Sequence, residues 1–381
     1  MRIGIDARFL MHGVGRYAEE LLAHLAGFGG THNYYVFTSR SYPKASPLNH
    51  LWGNHFHEIP GWGSLYSPSG QIRIPYHVAR RGLQLFHATS FPSPLIRVCP
   101  LVVTIHDQAP LIDRRRLPYQ SGLRGFMARA YYDAMNAYAV RYARHIITVS
   151  QQAKRDILHF HPHLPPEKIS VIYHGISASF KPADIAEQAR VRACHGLPSD
   201  YFLYVGTVSP GKNLIRVLTA FDALRKTPGW KHKLVAVART DPRYQDFYRF
   251  WESYPGRADV HLLDYVEKPD LPGLYAGAHA LVFPSLHESF GFPVLEAFAC
   301  GTPVITSNTS ALPEIAGDAA LLVNPHSVED IVAACRRLAT DAVLRHTLIE
   351  KGFLRARSFS WNACVQQTLD VYEGVLSGRL G

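Results

Sequence analysis

Two glutamates with seven residues between them, Glu288 and Glu296, are the side chains in this sequence whose spacing points most directly to chemistry. The apolar run at 280–285 that precedes them indicates a buried parallel strand. Pro293 suits the first turn of a helix, where its missing N–H costs nothing, and Gly301 suits a helix end. The sequence therefore predicts a strand, a tight loop carrying Glu288, and a helix with Glu296 about one turn inside it.

The predicted loop and helix start combine two kinds of binding group. Backbone N–H groups at the start of a helix favour an anion. Ionised carboxylates only accept hydrogen bonds, so they pair well with sugar hydroxyls. A phosphate flanked by two hydroxyl-bearing groups is the layout of a nucleotide sugar, with ribose, diphosphate and hexose in sequence. The spacing alone is also compatible with two ordinary solvated glutamates.

Residues 266–323 resemble the retaining glycosyltransferases of family 4, which have the GT-B fold and a Glu-x7-Glu signature. The similarity lies in the segments 266–275, 278–284, 297–303 and 310–323, besides the two glutamates. It implies an α/β fold of two Rossmann-like domains whose parallel sheets face a central cleft. It also implies that Glu296 binds the ribose hydroxyls of the donor. Glu288 then binds the sugar together with the backbone amides of Phe290, Gly291 and Phe292.

The chain has 381 residues, of which 47% are apolar and 18% charged, so it suits two ordered domains. It has no twenty-residue apolar run, which argues against a transmembrane helix, and it opens with a predicted strand rather than a signal peptide. The five cysteines lack metal-binding spacing and suit a reducing cytosol. We expect no metal and no cofactor beyond the substrate nucleotide sugar.

Short apolar runs alternate with helical segments along the whole chain, which predicts parallel sheets. Residues 1–178 are expected to form an N-terminal Rossmann-like domain that binds the acceptor, with strands at 2–7, 34–38, 85–87, 101–106 and 145–149. The pattern restarts at 168–173. Residues 179–358 are expected to form the nucleotide-sugar domain, and 359–381 a closing helix that, in the family, crosses back to the first domain.

Lys212 follows the predicted strand at 202–206 and a Ser-Pro-Gly loop. A lysine there can neutralise a diphosphate, although most loop lysines are simply solvated. The resemblance places the family's phosphate-binding lysine at Lys212, and Ser209 can add a hydroxyl donor. Many relatives carry an arginine beside this lysine or just after the strand glycine, whereas Gly211 and Thr207 stand there in this chain. One positive charge is therefore missing, or comes from elsewhere.

In the first half, the predicted site residues follow the first strand and the strand at 101–106. Gly13 and Gly15 allow the backbone to approach a ligand, and we assign Gly15 to the donor and Gly13 to the acceptor. Arg16 is expected to bind an anionic acceptor group, or to be a surface residue. His106 and Asp107 match the family's Thr-Ile-His-Asp motif, which implies that His106 faces the donor sugar. Asp107 is assigned to the acceptor side, to orient the histidine or cap the next helix.

Positive charge is concentrated in the first half of the chain. Residues 1–180 contain 19 Lys and Arg against 9 Asp and Glu, whereas the remainder contains 21 of each. Seven arginines lie between Arg114 and Arg144, interleaved with apolar and aromatic residues. A basic amphipathic helix there could lie on an anionic membrane, or it could pack its apolar side on the domain. No nucleic-acid-binding motif accompanies the charge, so nucleic acid is not an expected partner.

The predicted activity is that of a retaining, metal-independent hexosyltransferase with His106, Lys212 and Glu288 as catalytic residues. The resemblance is greatest to bacterial mannosyltransferases of O-antigen and other surface polysaccharides. It suggests mannose from GDP-mannose, with UDP- or dTDP-sugars as alternative donors. The basic first half of the chain fits a lipid-linked oligosaccharide acceptor and a cytoplasmic enzyme peripheral to the inner membrane face. The alternatives are transfer to a soluble sugar or sugar phosphate, a GT-B-fold nucleotide-sugar epimerase, and a protein that binds nucleotide without catalysis.

Overall fold

The structure is a computed structural model that describes residues 1–8, 15–28, 32–39, 51–53, 55–62, 68–112 and 122–381. Gly13 and the arginines at 114–116 lie outside the described residues. The chain divides into two compact units. The first contains Met1–Gly175 and Ser360–Gly381, and the second contains Ile176–Phe359.

The first unit is built on a seven-stranded parallel sheet with the order β3-β2-β1-β4-β5-β6-β7. Its strands are β1 (Arg2–Asp6), β2 (Asn33–Ser39), β3 (Phe56–Trp62), β4 (Leu85–Ala88), β5 (Leu101–Ile105), β6 (His145–Thr148) and β7 (Ile169–Val171). β3 was not predicted. β7, where the alternating pattern restarts, pairs with β6 and so belongs to this first sheet.

In the described residues of the first unit, five α-helices precede the last strand. They are α1 (Gly15–Gly27), α2 (Pro68–Arg80), α3 (Ala109–Ile112), α4 (Gly122–Tyr142) and α5 (Gln151–Phe160). α1 buries Tyr17, Leu21 and Leu25, which recur every four residues and so share one face of the helix. Ser150 caps α5, because its hydroxyl accepts a hydrogen bond from the Ala153 amide at 3.0 Å.

The second unit is built on a six-stranded parallel sheet with the order β10-β9-β8-β11-β12-β13. Its strands are β8 (Tyr201–Thr207), β9 (Lys233–Arg239), β10 (Val260–Leu263), β11 (Ala280–Phe283), β12 (Val304–Ser307) and β13 (Ala320–Val323). The strand order reverses between β8 and β11. The loops that follow these two strands therefore diverge and leave a crevice at the carboxyl edge of the sheet, which is where open α/β sheets bind ligands.

The remaining helices are α6 (Ile185–His195), α7 (Leu214–Arg225), α8 (Gln245–Ser253), α9 (Leu271–Ala276), α10 (Phe292–Ala299), α11 (Leu312–Ala316), α12 (Val328–Thr340), α13 (Ala342–Arg357) and α14 (Trp361–Leu376). α14 lies in the first unit and packs against α1. In both sheets every described strand pair is parallel, as the alternation of strands and helices predicted. The predicted α/β fold class is confirmed.

Candidate active site

The predicted strand, loop and helix around the two glutamates are present, as β11, residues 284–291 and α10. Gly291 caps the start of α10 with a φ of +118°, in the left-handed region that favours glycine. A Cβ at this position would lie 2.8 Å from Leu312 Cδ2, so both the backbone conformation and the space require glycine. Pro293 is the second residue of α10, and Gly301 follows its end with a φ of +77°.

The backbone of Glu288 is held on both sides by the turn that follows β12. Its amide donates to Ser310 Oγ at 3.1 Å, and its carbonyl accepts from the Ala311 amide at 3.1 Å. Ser310 itself has a φ of +59°, which is uncommon for a residue with a side chain. This turn therefore fixes the backbone position from which the Glu288 side chain extends. Ser310 was not among the predicted site residues, although it lies in the segment that resembles the family.

Lys212 and Glu288 form an ion pair, with 2.7 Å between Lys212 Nζ and Glu288 Oε1. Their side chains are 25% and 12% exposed, so the pair is largely shielded but open to a ligand. Lys212 lies in the loop after β8 and Glu288 in the loop after β11. The contact therefore spans the crevice where the strand order reverses.

Two buried side chains fix the Lys212 loop. Asn213, in a left-handed conformation, donates from Nδ2 to the carbonyls of Pro284 and Pro325 at 2.8 and 2.7 Å. The Tyr204 hydroxyl lies 3.0 Å from the Thr207 carbonyl oxygen and 3.1 Å from that of Lys212. Burial, and secondarily the charge of Glu288, raise the pKa of Tyr204 well above its usual value, so it stays a donor. We did not predict either contact from the sequence.

Glu296 is the fifth residue of α10 and is only 5% exposed. Its Oε2 accepts a hydrogen bond of 2.8 Å from the hydroxyl of Tyr275, a residue of α9. Burying a carboxylate among apolar neighbours is unfavourable without polar partners. Among the residues that the structure describes, only Glu296 and Asp6 are buried carboxylates. Such a costly placement suits a binding role, and Tyr275 is a site residue that the sequence analysis missed.

The loop from Thr207 to Lys212 contains Thr207 and Gly211, the two positions at which the resemblance led us to expect an arginine. Ser209 Oγ lies 2.9 Å from Thr207 Oγ1, and either hydroxyl can be the donor. Gly211 is buried, and its carbonyl accepts from the Leu286 amide at 2.8 Å, which joins this loop to the one carrying Glu288. The loop thus presents a pair of hydroxyls and a single cation, Lys212.

His106 lies at the carboxyl end of β5 in the first unit. Its Nε2 is 2.9 Å from the Thr89 carbonyl oxygen, and because a carbonyl only accepts, Nε2 carries the hydrogen. Burial lowers the pKa of His106, with a smaller opposing effect from the Thr89 carbonyl and Asp107. The ring is therefore neutral near pH 7, and its Nδ1 is left as a hydrogen-bond acceptor.

The other predicted residues of the first unit lie near the carboxyl edge of its sheet. Gly15 is the buried first residue of α1, and Arg16 follows it. Gly13 lies outside the described residues. At the end of β1, Arg8 binds Asp6 through two hydrogen bonds of 2.8 and 2.6 Å, and both side chains are buried. This buried ion pair was not predicted.

Within the described part of the chain, one group of side chains has donor atoms close enough to share a metal ion: Cys194, His195 and Asp270. The Asp270 carboxylate already accepts from Arg190 at 2.5 Å and lies 2.8 Å from His195 Nε2. The neighbouring guanidinium opposes a further cation. We interpret this group as an ion-pair cluster that joins α6 to the start of α9.

Comparison with known proteins identifies the family. The family described as "Glycosyl transferases group 1" matches residues 188–355, and "Glycosyltransferase Family 4" matches residues 11–180. The chain belongs to the group 1 and family 4 glycosyltransferases. The two matches follow one another along the chain and together cover most of it. Its α/β fold with two parallel sheets is that of the family's GT-B structures.

Individual relatives agree with this membership. The chain is 30% identical to O-antigen chain mannosyltransferase B of Escherichia coli over 65% of its length and 64% of the relative's. It is 29% identical to a D-inositol 3-phosphate glycosyltransferase of Streptomyces bingchenggensis over 61% of its length and 53% of the relative's. The matched regions thus span less than two thirds of these relatives. The fold also matches Anabaena HepE, solved with UDP-glucose, at a TM-score of 0.74 and 16% identity, over 98% of this chain and all of HepE.

Proposed function

We propose that this protein transfers a hexose from a nucleoside diphosphate sugar to an acceptor hydroxyl, with retention of anomeric configuration. The observation that carries the proposal is the Lys212–Glu288 ion pair at the reversal of strand order. Glu296, buried and oriented by Tyr275, then binds the ribose hydroxyls, because a carboxylate accepts from two neighbouring hydroxyls. Glu288 binds hydroxyls of the sugar together with the amides of residues 290–292.

Lys212 and the start of α10 are proposed to stabilise the departing diphosphate. A fixed cation and oriented backbone amides act where negative charge develops, so they lower the barrier without rearranging. In this account no metal is required. The diphosphate itself accepts the acceptor proton during attack on the same face, and no carboxylate nucleophile is needed. Ser209 and Thr207 contribute hydroxyl donors where relatives have a guanidinium.

His106 is proposed to face the donor sugar as a neutral acceptor. Its Nε2–H is committed to the Thr89 carbonyl, so only Nδ1 can meet the substrate. It would accept a hydrogen bond from a sugar hydroxyl and place electron density near the carbon that becomes positively charged. Gly15 is assigned to the donor, and Gly13, Arg16 and Asp107 to the acceptor.

We further propose mannose as the sugar and GDP-mannose as the donor, with a lipid-linked oligosaccharide of surface polysaccharide synthesis as acceptor. The support is similarity to O-antigen mannosyltransferases. Transfer to a soluble sugar phosphate is the second candidate, because the D-inositol 3-phosphate glycosyltransferases are nearly as similar. Both differ from an epimerase, which needs no acceptor.

An exposed apolar and basic surface of the first unit supports the proposal of a lipid-linked acceptor. Of fifteen large apolar side chains that are exposed in the described residues, ten belong to this unit. Five of them form what we call the apolar-basic face: Ile72, Tyr76, Leu95, Ile96 and Val98. Residues 59–106, which contain the face, include four arginines and no acidic residue. Exposed apolar side chains in a segment whose only charged side chains at pH 7 are arginines fit an anionic lipid surface.

Hydrogen bonds connect this face to its surroundings. The Leu95 amide donates to Gln71 Oε1 of α2 at 2.7 Å, and the Tyr138 hydroxyl of α4 donates to the Leu95 carbonyl. In the middle and second half of α4, Tyr132, Met135 and Ala139 are buried against the unit. Near its start, Leu123, Phe126 and Met127 are 74%, 64% and 60% exposed. Part of α4 therefore packs on the unit, as one interpretation of the basic segment expects, and we propose that its exposed start faces the lipid.

None of the described helices is long and apolar enough to cross a bilayer. The apolar-basic face leads us to propose peripheral attachment at the cytoplasmic face of the membrane. Flotation with vesicles of anionic lipid tests it. Ile72→Asp with Ile96→Asp should abolish flotation at low salt. The matched control is Leu354→Asp, which changes a side chain that is 64% exposed in the second unit. Flotation of the double variant equal to that of the control would refute the proposal.

The transfer reaction itself is tested by incubating the pure protein with GDP-mannose, UDP-glucose and other nucleotide sugars, with and without lipid-linked or soluble acceptors. Release of nucleoside diphosphate that depends on an acceptor supports the transferase, and the anomeric configuration of the product by NMR tests retention. Interconversion of donor sugars without an acceptor would show an epimerase. Unchanged activity after removal of divalent cations by EDTA is expected.

A further inference from the structure

Four rings of the first unit form a cluster that we call the ring stack: Tyr17, His106, His174 and Trp361. The centroids of Tyr17 and His106 are 5.0 Å apart, and those of His106 and His174 are 5.6 Å apart. His174 in turn stacks on Trp361 at 5.4 Å and 30°. Tyr17, His174 and Trp361 are only 2 to 3% exposed. The proposed catalytic histidine is therefore the one member of the stack that is not fully buried.

Trp361 contributes its ring rather than its polar atom. It is the first residue of α14, and its buried indole Nε1 has no hydrogen-bond partner among the described residues. Gly175 shows how closely the neighbouring segment approaches, because a Cβ there would lie 2.1 Å from the Trp361 backbone nitrogen. The backbone that carries His174 is thus pressed against the backbone that carries Trp361. The two rings are fixed relative to each other by their main chains.

We propose that His174 and Trp361 are positioning residues: they hold the His106 ring against the Thr89 carbonyl and keep water from the inner side of that ring. Neither touches substrate in this account. The catalytic part of the inference rests on the proposed function, whereas the positioning of His106 can be tested without activity. A helix at the very end of the chain would then determine the orientation of a histidine that lies 255 residues earlier.

The charges around the stack determine the expected pH behaviour. Besides its own members, the titratable groups that face it are Arg16 and His24 of α1, His87 of β4, Asp107 beside His106, and Cys364 of α14. Burial lowers the pKa of His106 and, more strongly, that of His174, to which His106 and Arg16 contribute. Loss of the Trp361 ring admits water, which favours the charged imidazolium and raises both pKa values. His106 would then protonate at higher pH and lose its acceptor nitrogen.

Histidine NMR of the intact protein measures the pKa and the tautomer of His106. We compare the wild type with Trp361→Ala, Trp361→Phe and Val375→Ala. Val375 is a buried residue of the same helix that lies outside the stack. We expect Trp361→Ala to raise the His106 pKa by about one pH unit and to mix its tautomers. Trp361→Phe and Val375→Ala should keep the wild-type values. His174→Phe, which keeps a ring but no nitrogen, should also leave the His106 tautomer unchanged. If Trp361→Ala does not fold, His174→Ala supplies the same comparison, because it removes the ring between Trp361 and His106 and should raise the His106 pKa in the same way.

Activity provides the second readout. Trp361→Ala should lower turnover about tenfold or more, with the donor KM changed less than about twofold, because misplacing a reacting group costs rate rather than binding. The acid limb of its pH–rate profile should move to higher pH, because the His106 pKa rises. In Trp361→Phe the acid limb should lie at the wild-type pH. Unchanged His106 titration in Trp361→Ala, or an equal shift in Val375→Ala, would overturn the inference. If the NMR titrations show the expected shift in Trp361→Ala but the wild-type protein has no transfer activity, the result counts against the proposed function alone.

Discussion

Lys212 and Glu288, 76 residues apart in the chain, meet at 2.7 Å across the crevice of the second sheet. Each side chain comes from a loop that follows a central strand. Hydrogen bonds of Asn213 and Tyr204 hold the first loop, and a hydrogen bond to Ser310 holds the second. The pairing also explains how a cation and a carboxylate are kept in place without substrate. A diphosphate that binds here would compete with Glu288 for the Lys212 ammonium group and release the carboxylate for sugar hydroxyls.

Replacing Lys212 by alanine should lower turnover by about 10²- to 10³-fold, because it removes the single cation of its loop from the developing charge. Steady-state kinetics with saturating donor measure this effect. Lys226→Ala is the matched control, since it breaks an ion pair of 2.6 Å with Asp222 on the surface of the same unit. Wild-type turnover of Lys212→Ala would remove this residue from the account.

Tyr275→Phe should weaken nucleotide binding about tenfold while the protein still folds, because a hydrogen bond to a carboxylate contributes about 1.5–3 kcal/mol. Without the hydroxyl, Glu296 is no longer held in one orientation. Isothermal titration with nucleoside diphosphates gives the dissociation constants. As a control, Tyr254→Phe removes a hydroxyl that donates to the Leu218 carbonyl at 2.8 Å in the same unit. If both variants bind nucleotide equally well, Tyr275 has no part in binding.

Gly291→Ala should damage the site through the backbone. A φ of +118° opposes any side chain, and the new Cβ would press on Leu312, so we expect a loss of more than about 2 kcal/mol of unfolding free energy or a displaced loop. Gly229→Ala is the comparison, since its φ is +80° but nothing lies within 4 Å. Thermal unfolding and donor KM report the two effects. Equal behaviour of the variants would show that contact with Leu312 is unimportant.

The first unit should lose stability in acid because of His87. Burial lowers its pKa to about 3, so the folded state resists protonation while the unfolded chain takes up a proton near pH 6.5. The contribution of His87 is complete above pH 6.5 and is lost as the pH falls towards 3, by at most about 1.4 kcal/mol per pH unit. Chemical unfolding between pH 7 and 4 measures the slope. His87→Asn should flatten it, and an unchanged slope would contradict this assignment.

Local signals in the sequence were enough to predict the elements around the glutamates. The start of α10 is marked by Gly291 and Pro293 and its end by Gly301. An apolar run of four residues forms β11. The strand β3 was missed because Pro60 and Gly61 interrupt its pattern, which only an edge strand tolerates. Its pairing with β2 alone defines it.

The tertiary contacts that position the site residues could not be predicted from local sequence patterns. Tyr275 reaches Glu296 from another helix, and the Ser310 hydroxyl reaches the Glu288 amide from another loop. Such partners depend on how the strands are ordered, and no spacing in the chain encodes them. The ring stack likewise joins residues 17, 106, 174 and 361, whose proximity follows only from the packing of α14 on α1.

The most direct test of the central claim is the thermal stability of the pure protein against GDP, UDP, ADP, dTDP and their sugars. A ligand that binds only the folded state must stabilise it, by about 2.7 kcal/mol at a hundredfold excess over its dissociation constant. The account predicts a clear rise in Tm with one nucleotide, GDP and GDP-mannose in first place, and its loss in Glu296→Ala. No rise with any nucleotide, or a rise that Glu296→Ala keeps, would contradict the proposed site.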